Sequence, residues 1–214
     1  LGIMYDNGLG VPEDDAEAVR WYRLAAEQRE PSAQYNLGFM YANGEGVPEN
    51  DVEAVRWWLL AAEQGNARAQ FSLGFIYDNG EGVPENDAEA VRWYRLAAEQ
   101  GYALAQYNLG IMYSNGEGVP ENDAEAVRWY RLAAEQGDAT AQNNLGFMYA
   151  RGEGVPEDDV EAVKWYRLAA EQGDATAQTN LGVMYAIGAG LRQNNVRAYA
   201  WFSVAAAQGD EDAR

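Results

Sequence analysis

The 214-residue chain has no cysteine and no histidine, and Lys164 is its only lysine. Without cysteine there are no disulfides and no thiolate metal sites. Without histidine the chain lacks the commonest general base and metal ligand, so neither a Ser-His nor a Cys-His pair can be assembled. The four serines, Ser32, Ser72, Ser114 and Ser203, show no Ser-x-x-Lys spacing, and Lys164 lies far from each. Basic residues are also scarce: 15 face 34 acidic ones, for a formal net charge of -19. A surface that negative repels phosphate backbones and anionic lipid, so nucleic acid is an unsuitable partner. Basic proteins or uncharged ligands suit it better. No apolar run approaches the roughly 18 residues that a membrane span needs, so no membrane insertion is expected. The chain opens on Leu1 with no signal-like segment and reads as a piece of a longer protein, cut at both ends.

Repetition is what the sequence has in abundance. "LGIMY" at Leu1 returns at Leu37, Leu73, Leu109, Leu145 and Leu181 with small changes, each step 36 residues and without insertion. All 23 glycines fall at four phases of that period, and six of the seven tryptophans share one phase, Trp58 being outside it. A fixed period of this length marks a solenoid or array. The chain is therefore expected to be one all-α repeat domain over residues 1–214, with units at 1–36, 37–72, 73–108, 109–144, 145–180 and 181–214.

Each period reads as two helices. In the third copy, helix A covers about Ala69–Asn79, with Ala69, Leu73, Ile76 and Tyr77 on one face. Gly74 beside that face would let a second helix approach closely. Helix B covers about Asp87–Gln100 and is apolar almost all round, with Arg92, Arg95 and Glu99 as its polar stripe, so it must pack against several neighbours. Asn86 and Glu89 have capping-box spacing, repeated at Asp14/Glu17, Asn50/Glu53, Asn122/Glu125 and Asp158/Glu161. Gly101 ends helix B.

The stretch "AQYNLGIMYSNGEGVPENDAEAVRWYRLAAEQGD", Ala105 to Asp138, with its counterparts in every other copy, resembles the Sel-one-like repeat family, a relative of the tetratricopeptide repeats. The resemblance spans the whole chain. It implies a right-handed α/α superhelical solenoid whose A helices line a concave surface, and a role as adaptor or scaffold for other proteins. It also implies a bacterial periplasmic or secreted location, with a cytoplasmic one still open. A cysteine-rich branch of the family has been linked to β-lactam binding; the absence of cysteine sets this chain apart from it.

The loop "NGEGVPEND", identical at Asn43, Asn79 and Asn115, invites a chemical reading. It lacks the lysine of a phosphate loop, and Gly and Val-Pro interrupt the alternating oxygen ligands of a calcium loop. Its glycines, proline and cap residue each have a backbone task, so no catalytic residue, metal or cofactor is assigned. Paired carboxylates at helix starts are read as caps, and the tryptophan phase as core.

Function is then expected where the copies differ. On helix A the face holding Ser32, Tyr35, Asn36, Phe39, Ala42 and Asn43 matches the groove-lining register. One phase reads Tyr35, Phe71, Tyr107, Asn143, Thr179. Its neighbour reads Asn36, Ser72, Asn108, Asn144, Asn180. A third reads Asn7, Asn43, Asn79, Asn115, Arg151, Ile187. Rings beside amides suit an extended peptide; alternatively, the Tyr35 and Phe39 phases pack between adjacent A helices. Arg68 and Arg151 are the only basic residues there, so acidic tails are unsuited. The last copy deviates: Arg192 replaces the loop proline, Arg197 the capping-box Glu, and the polar stripe becomes Ala200, Ser203 and Ala207. That stripe fits a capping helix, heralded by "GDEDAR" at Gly209, or a self-association surface. The expected function is a non-catalytic scaffold that binds a protein or peptide segment. The alternatives are an envelope protein with β-lactam- or glycan-related binding or activity, and an oligomerising spacer.

Overall fold

The computed structural model describes residues 1–209. Among them are twelve α-helices and no strand: α1 (Gly2–Asp6), α2 (Asp15–Ala26), α3 (Pro31–Asn43), α4 (Asp51–Glu63), α5 (Ala67–Asn79), α6 (Asp87–Glu99), α7 (Ala103–Asn115), α8 (Asp123–Glu135), α9 (Ala139–Arg151), α10 (Asp159–Glu171), α11 (Ala175–Ile187) and α12 (Asn195–Ala207). Odd-numbered helices are the A helices of the repeat and even-numbered ones the B helices, giving the α/α solenoid that the period implies. The chain forms two compact units, Leu1–Ala105 and Gln106–Arg214, the division falling within α7. The "GDEDAR" segment after Gly209 lies outside the described residues.

Every long B helix starts on a side-chain cap. Asn86 accepts a hydrogen bond from the Glu89 backbone N–H at 3.2 Å, and Asp14, Asn50, Asn122, Asp158 and Asn194 serve their helices likewise. The expected second half of the capping box is not formed. The Asn86 backbone N–H is already taken by the Tyr77 carbonyl of the preceding helix, at 2.7 Å. Glu89 turns outward instead and pairs with Arg92 at 3.0 Å. Helix A starts two residues earlier than the apolar pattern suggests, because Asn66 caps it by accepting from the Ala69 N–H at 3.0 Å.

Packing within a helix pair depends on Gly74. A Cβ there would lie 2.5 Å from the Tyr94 ring, so only glycine lets helix B sit this close. The loop depends on Gly82, whose φ of 69° belongs to the left-handed region and which abuts the first turn of the preceding B helix at Asp51. Arg29 breaks the rule: it occupies the phase of Gly101 yet keeps a left-handed φ of 65°.

Successive repeats are also joined by buried glutamines that hydropathy does not reveal. Gln70 donates to the Ala62 carbonyl of the preceding B helix at 3.1 Å and accepts from Gln100 of the following one at 2.7 Å. Gln34, Gln142 and Gln178 repeat both bonds. A buried amide satisfied on both ends fixes register, since a slip would leave it unpaired. Leu37, Leu73, Leu109, Leu145 and Leu181 are fully buried; of the tryptophan phase read as core, Trp93, Trp129 and Trp165 are buried, whereas Trp21, Trp57 and Trp201 are only half-buried. Helix B is less apolar-faced inward than its composition suggests: Leu96 lies partly exposed.

Candidate functional site

In the first unit the A-helix face forms an aromatic pocket of about 330 Å³. Tyr35, Phe39 and Asn43 of α3 line one side, and Phe71, Ser72 and Phe75 of α5 the other. Three expected site residues, Tyr35, Phe71 and Asn43, thus converge. Phe39 is 45% exposed and Phe75 43%, so these rings face solvent instead of filling the space between helices. Phe71 is half-buried between two tyrosines: Tyr94 below it, centroids 5.8 Å apart, and Tyr102 beside it at 5.2 Å. Asp51 and Glu81 supply negative charge to the lining.

Two substitutions that break the repeat pattern build this pocket. Tyr22 and Tyr94 each donate a hydrogen bond from the hydroxyl to an aspartate on helix A, Asp6 at 2.9 Å and Asp78 at 3.1 Å. In the second copy that pair is replaced by Trp58 and Ala42. The Trp58 indole N–H donates to the Tyr35 carbonyl at 3.1 Å, and both residues line the pocket. A carboxylate is thereby exchanged for a methyl group over an indole floor. The second break is Tyr102. Its phase holds Asn66, Asp138 and Asp174, which cap the next A helix. Tyr102 has no carboxylate or amide to cap with, and its ring stands against Phe71 instead. The signal for both lay in the sequence, in Trp58 as the tryptophan out of phase and in Tyr102 as an aromatic at a cap position.

The amides expected on this face hold more of the fold than their exposure suggests. Asn43 and Asn79 donate back to the Phe39 and Phe75 carbonyls at 3.1 and 2.8 Å, ending their own helices. Asn36 is half-buried and hydrogen-bonded to the Tyr22 hydroxyl. In the second unit Asn143 is only 9% exposed and accepts from Asn180 at 2.9 Å, so it offers almost no surface to a partner. The reason is its size: where a ring would stand out of the face, a shorter amide sinks between helices. Asn108 and Asn144 are half-buried, Asn144 reaching the Tyr107 and Tyr130 hydroxyls. Tyr107 stacks on Tyr130 with centroids 6.0 Å apart. Asn115 is exposed and donates to Glu117 at 3.2 Å; the Arg151 guanidinium lies 5.1 Å from the Phe147 centroid. The aromatic pocket of the first unit has a counterpart ring in the second, Tyr107, but at Asn143 and Thr179 the phase holds only buried polar side chains.

Burial raises the Tyr35 hydroxyl above its ordinary value; a charge contribution from Tyr102 adds to this, while Arg68 and a bond to Ser72 oppose it. Burial raises Tyr107 in the same way. The phenols are therefore neutral hydrogen-bonding groups at physiological pH. Among the described residues no group of three or more His, Cys, Asp or Glu is placed to hold a metal ion, and no helix is long and apolar enough to cross a membrane. At the other end of the chain Ala200, Ser203 and Ala207 are exposed. Tyr199 is 75% exposed where its counterpart Val163 is 6% exposed.

The family model described as Sel1 repeat matches residues 1–29, 31–66, 67–102, 103–138, 139–174 and 175–210. The structure of c5321, a protective antigen present in uropathogenic Escherichia coli strains and displaying an SLR fold, is 43% identical over 100% of this chain, with a TM-score of 0.95. The chain spans 46% of that protein's length. A Sel1 repeat protein from Oxalobacter formigenes is 40% identical, with a TM-score of 0.81 over 95% of this chain and 82% of its own. No curated protein matches.

Proposed function

The chain belongs to the Sel1 repeat family, and from that premise we propose that it is a non-catalytic scaffold whose first unit seats a partner peptide in the Tyr35–Phe71–Tyr102 pocket. Sel1 repeat proteins are generally protein-interaction scaffolds, typically without catalytic activity. The observation that carries the finer reading is the cluster of exposed rings, Phe39 and Phe75, in a pocket that is also lined by the two residues that leave the repeat pattern, Trp58 and Tyr102.

The pocket's volume lies at the lower end of the roughly 300–1,000 Å³ of ligand sites, enough for one large apolar side chain. Asp51 and Glu81 suit a lysine or arginine beside that side chain, and the net charge of -19 steers a basic segment toward it. The partner is therefore a peptide segment that places an aromatic or long aliphatic residue next to a basic one.

Selection of a randomised peptide library on the full chain tests this. Recovered peptides are expected to share that pairing, and Phe71→Ala should weaken them at least about tenfold, as removal of a central ring does at protein interfaces. Recovery of acidic peptides, or unchanged affinity in Phe71→Ala, would overturn the assignment.

A further inference from the structure

The last repeat reverses the charge of a loop that is acidic in the copy before it. From the end of α9 into the first turn of α10 the chain carries Glu153, Glu157, Asp158, Asp159 and Glu161. The corresponding positions, 36 residues on, hold Ala189, Gln193, Asn194, Asn195 and Arg197, and Pro156 gives way to Arg192. Five carboxylates are gone and two guanidiniums have arrived, in a chain where acids outnumber bases 34 to 15. Folding does not require the exchange. Asn194 still caps α12, accepting from the Arg197 backbone N–H at 3.0 Å, just as Asp158 caps α10.

The structure brings both newcomers to an arginine already present. In the regular pattern an arginine of one B helix donates to a tyrosine of the next A helix, as Arg131 does to the Tyr149 hydroxyl at 2.7 Å. Arg167 makes the same contact with Tyr185 at 3.4 Å, but here Arg197 also donates to that hydroxyl, at 3.0 Å. Two guanidiniums thus share one phenol oxygen. Together with Arg192 they line a cavity of about 470 Å³ whose other walls are Tyr185, Leu191, Gln193 and Asn194, with no carboxylate among them.

On five other B helices a basic residue is neutralised locally. Arg20, Arg56, Arg92, Arg128 and Lys164 each pair with the glutamate three residues earlier. That glutamate phase is the one Arg197 occupies, and Ala200 stands where the basic partner would be. Among the described residues none of Arg167, Arg192 and Arg197 forms an ion pair. Like charges gathered on one cavity without a counter-charge are stabilised by a bound anion, and guanidinium forks match oxyanions in bidentate geometry.

We infer that this cavity binds a small organic dianion through Arg167, Arg192 and Arg197, its charged head being a phosphate monoester or a pair of carboxylates. The cavity is wider than the charged head, so it takes the attached organic body as well. The site is separate from the aromatic pocket and does not rest on the peptide-binding reading. The arginines are exposed, so binding weakens as salt rises.

Calorimetric titration of the full chain at low ionic strength with inorganic phosphate, and in parallel with succinate, tests it. The variants Arg197→Glu and Arg192→Pro restore residues that the preceding repeat carries at these places, so they keep the fold; thermal melting checks that they do. Saturable binding of either probe, weakened about tenfold by Arg197→Glu and untouched by Phe71→Ala, supports the site, and the better probe names the head group. The proposal is overturned if neither probe saturates, if both restoring variants bind as the parent does, or if chloride at matched ionic strength produces the same heat.

Discussion

Tyr102 and Arg29 show what single residues add to a repeated design. Each abandons a phase whose backbone duty is plain, Tyr102 the helix cap and Arg29 the left-handed glycine. Tyr102 has a visible return, a ring against Phe71. Nothing in the structure explains Arg29. A non-glycine side chain in the left-handed region costs about 1 kcal/mol, so Arg29→Gly is expected to raise stability by about 0.5–1 kcal/mol in urea denaturation. Unchanged or lowered stability would show that Arg29 makes a stabilising contact of its own. At this scale the sequence announced which residues were unusual, Trp58 above all, but not where they would meet. Tyr35, Trp58, Phe71 and Tyr102 converge only after two A helices have stacked, and a phase-by-phase reading treats each column separately. The same reading placed Asn143 on the surface, because it cannot tell a protruding ring from a shorter amide that sinks between helices.

At the scale of the element, caps and glycines gave the boundaries to within two residues, while hydrogen-bond partners outside the element escaped. The capping box is the case in point. Spacing identifies Asn86 and Glu89 as a pair, but the Tyr77 carbonyl claims the N–H that Glu89 would have reached. The two residues should therefore respond differently. Asn86→Ala is expected to cost about 1 kcal/mol, as loss of an N-cap does, whereas Glu89→Gln removes only an exposed ion pair and should cost less than about 0.5 kcal/mol. Equal losses in a thermal unfolding comparison would restore the reciprocal box. The buried glutamines were missed for the same reason: Gln70 has its partners one B helix back and one forward, and a window on a single helix holds neither.

At the scale of the whole molecule, an unbroken 36-residue period carried the fold class almost entirely, because every copy repeats the same packing solution. Buried tyrosines make that solution sensitive to alkali. Burial pushes the Tyr130 and Tyr166 hydroxyls from 10.0 up to about 12. A folded-state value above the unfolded one contributes stability that is fully present below pH 10 and is lost as pH rises toward 12. Unfolding free energy should fall through that window, with tyrosinate absorbance rising together with loss of helix; early titration of all tyrosines in a still-helical chain would contradict it.

The proposed peptide seat, the first unit's aromatic pocket, is tested most directly by Tyr102→Asn. This variant restores the cap residue found at Asn66, so the fold should be as stable as before or slightly more so. The measurement is the dissociation constant of a selected peptide for the parent chain and for Tyr102→Asn, by fluorescence anisotropy. Weakening by about tenfold or more, with melting temperature undiminished, is the predicted result. An unchanged dissociation constant would mean that the peptide binds elsewhere and that the Tyr35–Phe71–Tyr102 cluster is only packing.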